Sequence, residues 1–230
     1  MLISIVFSAG RSGTNLLLES MRGNPYFVAS DPPEDKLLFI RDIRYPDRYL
    51  TKSDSVYCPS YQHFYNLMIK NPSVNILWCT RHPYDWCLSK LYRGRALPKR
   101  GNKPSDDGTP EGCIQDMMWM YSLYKRAKKD FSMRILEVKM EDIILNIEAE
   151  TKRICKNLCI LWDKEMMYPH KRMRHLGKKK RYGDKLDKSQ ISLYKNLDTI
   201  YNGYFLDKKE DVQKVFDAVH FMIGEFGYNA

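Results

Sequence analysis

The stretch SAGRSGTN, residues 8–15, crowds Gly10, Ser12, Gly13, Thr14 and Asn15 into a few positions, and these are residue types that hold oxyanions. Glycine lets the backbone come close to a ligand, while the hydroxyls of Ser12 and Thr14 and the amide of Asn15 donate further hydrogen bonds. Arg11, inside the same stretch, adds a planar guanidinium that can donate to two oxygens at once. The apolar run LISIVF (2–7) precedes the stretch, and a helical pattern over 14–22 follows it. A strand, a glycine loop and a helix in that order aim several N–H groups and the positive end of a helix dipole at one point. Phosphate or sulfate suits such a point; the alternative is a tight turn whose glycines only permit close packing. The loop is not the GxxxxGK[ST] of nucleoside-triphosphate hydrolases, which needs a lysine after its second glycine, because Thr14 follows Gly13 directly.

A second stretch, CTRHPYDWCLSKLY (79–92), puts Arg81 at the carboxyl end of the apolar run VNILWCT (74–80) and Ser89 eight residues on, inside the next helix. Open parallel sheets bind ligands at this edge, where strand-to-helix turns converge. Two turns with phosphate donors suit a ligand that carries phosphates at both ends. Taken singly, Arg81 is as well read as a surface residue and Ser89 as an ordinary helix residue.

The elements that must position these residues follow from hydrophobic pattern. Residues 2–7, 74–80 and MRILEV at 133–138 are nearly continuous apolar runs, the mark of strands buried on both faces; SVYC at 55–58 is a fourth candidate. Helices are expected over 14–22, 60–70, 83–93 opening at Pro83, 111–129 and 147–160. A last one over 209–226 carries the core stripe Val212, Val215, Phe216, Val219, Met222, Ile223 and Phe226 and stops at Gly227. The alternation predicts an α/β fold of three layers, a central, mostly parallel sheet of four to five strands flanked by helices. Residues 93–112, rich in Gly, Pro and charge, read as a lid or a mobile loop. No repeat or composition shift marks a second domain, so residues 1–230 are read as one. Trp78, Trp86 and Trp119 are assigned to the core.

Of 230 residues, 43% are hydrophobic and 29% charged, which excludes a disordered chain. The excess of 38 Lys and Arg over 28 Asp and Glu, +10 in all, favours anionic partners without choosing among them; no helix-turn-helix, zinc-finger or RNA-binding motif directs it to nucleic acid. The six cysteines form no CxxC pair and are expected to be buried thiols. With no secretion signal and no run of the ~18 apolar residues a spanning helix needs, the sequence reads as a soluble, cytoplasmic protein. It does not reveal an oligomeric state.

Taken in order, these motifs resemble a family. SAGRSGTN resembles the 5′-phosphosulfate loop of sulfotransferases that use 3′-phosphoadenosine 5′-phosphosulfate (PAPS), and Arg81 through Ser89 resembles their 3′-phosphate motif. LEVKMEDI (136–143) is similar to their strand followed by a Glu-Asp pair, KKRYGDKLDKSQ (179–190) to their late cofactor-covering loop, and EFGY (225–228) to their usual C-terminus. Where many members have Gly-x-Trp in the late loop, this chain has Lys180 and Tyr182.

The resemblance implies a P-loop-like sulfotransferase fold, with PAPS as co-substrate, PAP as product and no metal. Gly10 through Asn15, with Arg81 and Ser89, would bind the cofactor. Lys179, Lys180 and Arg181 would close over its 3′-phosphate, with Tyr182 near the adenine; the same run can also be a solvated basic surface. Arg11 would stabilise the leaving oxygen. A hydroxyl acceptor needs a base, which related members with an arginine in the loop carry as a carboxylate about twenty residues later. That position falls in ASDPPEDK (29–36), at Asp31, Glu34 or Asp35, of which Glu34 is preferred. His63, in SYQHFYN, is the rival, with a proton affinity suited to neutral pH, though it fits a packing or capping role as well. The acceptor would present a hydroxyl or amine, and the basic residues from Arg93 to Lys103 suggest an acidic one. The competing readings are a nucleotide or small-molecule kinase with an atypical loop, and a non-catalytic polyanion binder.

Overall fold

A computed structural model describes residues 2–8, 12–40, 47–96, 109–169 and 209–228, apart from the side chains of 31–33 and 92–96. Among them five strands form a single sheet: β1 (Ile3–Ser8), β2 (Val28–Glu34), β3 (Tyr49–Asp54), β4 (Val74–Thr80) and β5 (Ile135–Lys139). Their order is β2-β3-β1-β4-β5 and every pairing is parallel. β1 lies at the centre with all six residues buried, as its continuous apolar run requires.

Side-chain alternation divides the interior into two cores. Ile3, Ile5, Phe7 and Trp78 face one side. There α2 (Tyr61–Lys70), α3 (Pro83–Ala96), α4 (Pro110–Phe131), α7 (Lys209–Val219) and α8 (Phe221–Glu225) cover them with residues such as Phe64, Leu91, Leu123 and Val215. Val6, Leu77 and Val138 face the other, under α1 (Thr14–Met21), α5 (Met140–Leu145) and α6 (Ile147–Asn157). The result is the three-layer α/β architecture expected. Trp78 and Trp86 are core residues, and the half-buried Trp119 donates from Nε1 to the Ser55 carbonyl at 3.3 Å.

Several expectations need correction. The fourth strand is not 55–58, which holds a 3₁₀ turn over Ser55–Tyr57; the strand is the segment just before it, β3. Its polar residues hide it, because Thr51 and Ser53 are buried through tertiary hydrogen bonds from Ser30 Oγ to Thr51 Oγ1 and from Ser53 Oγ to the Asp35 carbonyl, both 2.9 Å. β2 was not anticipated because it contains Pro32 and Pro33, which cannot donate to a ladder. It lies at the sheet edge, and its register shifts between Ala29 and Glu34. The final helix divides at His220 into α7 and α8.

The segment 93–112 is shorter as a loop than expected, since α3 continues to Ala96 and α4 begins at Pro110, capped by Thr109 Oγ1 accepting from Gly112 N–H at 3.1 Å; residues 97–108 lie outside the described ones. The helix expected to reach 160 ends at Asn157, and Cys159 follows with φ 54°. All six cysteines are free thiols, but Cys159 is exposed and only the other five are buried.

Candidate functional site

β1 and β4 are neighbours and parallel, in register from Ile3 with Val74 to Phe7 with Trp78, so the turns that follow them open at the same edge of the sheet. Gly10 and Arg11 lie outside the described residues. Ser12, buried, has its carbonyl 2.7 Å from Cys79 Sγ, which donates to it from β4. Burial, and after it the charge of Glu141, push the Cys79 thiol well above its ordinary value, so it remains a donor. The first turn is thereby tied to the strand that delivers Arg81.

Gly13 has φ 83°, in the left-handed region. A Cβ there would lie 2.7 Å from Met140 Cγ and 2.8 Å from its Sδ, so conformation and space both demand glycine. The Gly13 carbonyl accepts from Leu17 N–H at 3.1 Å and opens α1. No side chain caps that helix and no acidic residue occupies its first turn, which leaves its positive end to act on a ligand. Among the described residues the buried Ser8 Oγ and Asn15 Oδ1 make no hydrogen bond. Buried polar atoms are ordinarily satisfied, and these two flank the glycine turn in sequence. A glycine-only backbone and an uncapped helix start fit an oxyanion-bearing group, and the unsatisfied Ser8 hydroxyl can donate to one, whereas Asn15 Oδ1, an acceptor, calls for a donor instead.

The second turn carries Arg81, 5% exposed, and Pro83 opens α3 in the position proline favours. Ser89 is wholly buried on α3. Glu141, first of the acidic pair after β5, accepts the His82 backbone N–H at 2.9 Å and the Tyr228 hydroxyl at 2.8 Å.

The four candidate bases lie in four different settings. Glu34 ends β2, and its Oε1 is 3.3 Å from Nζ of Lys52 on β3, a lysine only 9% exposed. Lys52 pairs in register with Val6 of β1 as well as with Glu34, so the ion pair bridges β2 and β3 level with Val6, two residues before β1 ends. Sequence reasoning missed Lys52; its only signal is a charge inside LTKSD. Asp35 is buried and serves its own turn, Oδ1 accepting Leu37 N–H at 3.0 Å. Asp31 lies on β2, its side chain outside the described residues. His63 is in the first turn of α2, its Nδ1 2.8 Å from Ser60 Oγ, a contact between side chains and not a cap, since among the described residues no side chain hydrogen-bonds the free N–H groups of that helix start. Leu37 and Ile40, in the turns after β2, and Val56, in the 3₁₀ turn after β3, are exposed apolar residues. Lys36 stands over the Tyr57 ring at 5.5 Å, joining the turn after β2 to the one after β3.

Lys179, Lys180, Arg181 and Tyr182 lie outside the described residues. Within those, no cluster of three or more His, Cys, Asp or Glu could hold a metal ion, and no helix is long and apolar enough to cross a membrane.

The fold is that of solved sulfotransferases. The chain is similar to the sulfotransferase domain from the curacin biosynthetic pathway, at 14% identity over 99% of this chain and 98% of that one, with a TM-score of 0.62. The sulfotransferase domain of the Synechococcus PCC 7002 olefin synthase matches at 14% identity, 85% and 87% coverage and a TM-score of 0.53. Mouse sulfotransferase SULT7A1, complexed with PAP, matches at 15%, 83% and 74%, and 0.51. No protein-family model matches the chain, and no curated protein matches it in sequence. At these identities the likeness defines the fold.

Proposed function

We propose that the protein is a sulfotransferase that uses PAPS and a hydroxyl- or amine-bearing acceptor. The observation that carries this reading is the glycine-only turn after β1, opening on the same sheet edge as the Arg81 turn, in a fold shared with sulfotransferases of which one was solved with PAP.

PAPS supplies a sulfuryl group that moves in line from its phosphate oxygen to the acceptor oxygen or nitrogen, leaving PAP. Ser12, Gly13, Thr14 and Asn15, with Gly10 and Arg11, hold the 5′ end by backbone N–H groups, hydroxyls and the helix dipole. Arg81 and Ser89 hold the 3′-phosphate, and Lys179, Lys180, Arg181 and Tyr182 cover the nucleotide. Glu34 takes the acceptor's proton, and its ion pair with Lys52 holds the carboxylate against β3. The exposed Leu37, Ile40 and Val56 favour an acceptor with an apolar portion.

Calorimetry with PAP tests the reading: binding at sub-millimolar concentration is expected, and none would defeat it. A transfer assay with labelled PAPS against phenols, sugars, lipids and peptides then identifies the acceptor. With that acceptor, Glu34→Gln is expected to lower turnover ~100- to ~10,000-fold, the usual worth of a general base, while PAP affinity stays within about twofold. Unchanged turnover would transfer the role to Asp31 or His63.

A further inference from the structure

We infer that Glu141 and Tyr228 are positioning residues for the 3′-phosphate site, acting together through the His82 backbone to set the turn that carries Arg81. The inference rests on the reading of Arg81 given above and extends it to residues that reading does not assign to the nucleotide.

β5 delivers Glu141 alongside the β4 turn, since Thr80 pairs with Lys139 in the sheet register. Both oxygens of Glu141 are then engaged: Oε1 by the N–H of His82, the residue after Arg81, and Oε2 by the Tyr228 hydroxyl. Burial, and next the charge of Glu141, hold the phenol far above its ordinary titration range, so Tyr228 remains a donor. The tyrosine is itself fixed from several sides. Its N–H donates to the Ile223 carbonyl at 2.9 Å, and its ring meets the His82 ring edge-on at 5.3 Å. Lys139 Nζ donates to the Gly227 carbonyl at 2.7 Å and stands over the Tyr228 ring at 4.6 Å. Gly227, with φ 66°, turns the chain so that Tyr228 points back to the sheet rather than extending α8. Hydrogen bonds to charged groups are among the stronger ones, and two of them meet on one carboxylate next to a buried arginine. The segment 225–228, remote from the glycine turn in sequence, thereby bears on how the guanidinium is held.

The test compares two ligands that differ only in the group Arg81 would bind: PAP and adenosine 5′-phosphate, titrated into the full chain by calorimetry. Tyr228→Phe, which deletes one hydroxyl, is expected to weaken PAP about five- to tenfold, less than the full worth of a hydrogen bond to a charged group because the loss reaches the ligand only through Arg81, and to leave adenosine 5′-phosphate unchanged within twofold. Glu141→Gln retains an acceptor for the His82 N–H and is expected to keep more of the preference for PAP than Glu141→Ala does. A purely structural role would weaken both ligands alike, and an unaltered ratio in Tyr228→Phe would overturn the inference while leaving the proposed function standing. Failure of the unsubstituted protein to bind PAP would remove both.

Discussion

Arg11→Ala is expected to lower sulfuryl transfer ~100- to ~1,000-fold, the usual cost of removing one preorganised donor from a developing oxyanion, with PAP still bound within about tenfold of the unsubstituted protein. As the bond to the leaving phosphate oxygen breaks, charge grows there, and a group that interacts more strongly with that charge than with the ground state lowers the barrier. Arg11 directly precedes Ser12 in sequence, whose carbonyl is tied to Cys79 of β4. On the proposed reading other groups hold the rest of the nucleotide, so affinity is expected to survive the substitution better than rate. Single-turnover transfer from labelled PAPS, paired with PAP calorimetry, separates the two. Equal losses in rate and affinity would reduce Arg11 to a tether, and unchanged turnover would remove it from the chemistry.

Gly13→Ala carries the second large effect, and it falls on stability as well as binding. A non-glycine residue at φ 83° costs about 1–2 kcal/mol by backbone sterics alone. The new Cβ would also lie 2.7 Å from Met140 Cγ, and Met140 is buried at the start of α5, where it has little room to retreat. Together these are expected to remove about 2–4 kcal/mol, a fall in Tm of roughly 5–10 °C for a chain of this size, and to weaken PAP more than about tenfold, since the displaced turn no longer presents its N–H groups together. Thermal unfolding and calorimetry measure both. A double-mutant cycle with Met140→Ala separates the contact from the backbone strain: recovery beyond additivity reports the clash, and a Gly13→Ala protein with unaltered Tm and affinity would contradict the account.

What could be read directly was local. β1, β4 and β5 stand out because a strand covered on both faces must be apolar at successive positions, and the glycine turn, Arg81 and Ser89 stand out because their chemistry is written in single residues. Most of the helices were legible from apolar residues at helical spacing, and Gly227 ends α8 as expected, but the short α5 was not. β2 and β3 were not legible, because prolines at a sheet edge and polar residues satisfied by partners distant in sequence leave no periodic trace. Thr51 needs Ser30, and Ser53 needs the Asp35 carbonyl.

The site divides along the same line. Which residues could bind an oxyanion was set by residue type, but the opening of the β1 and β4 turns at one edge depends on the strand order β2-β3-β1-β4-β5, a non-local property. Only that order brings Lys52 to Glu34, the Cys79 thiol to the Ser12 carbonyl, and Glu141 between His82 and Tyr228. Such pairings join residues whose separation along the chain says nothing about their separation in space; packing of the sheet against its two helical layers decides them.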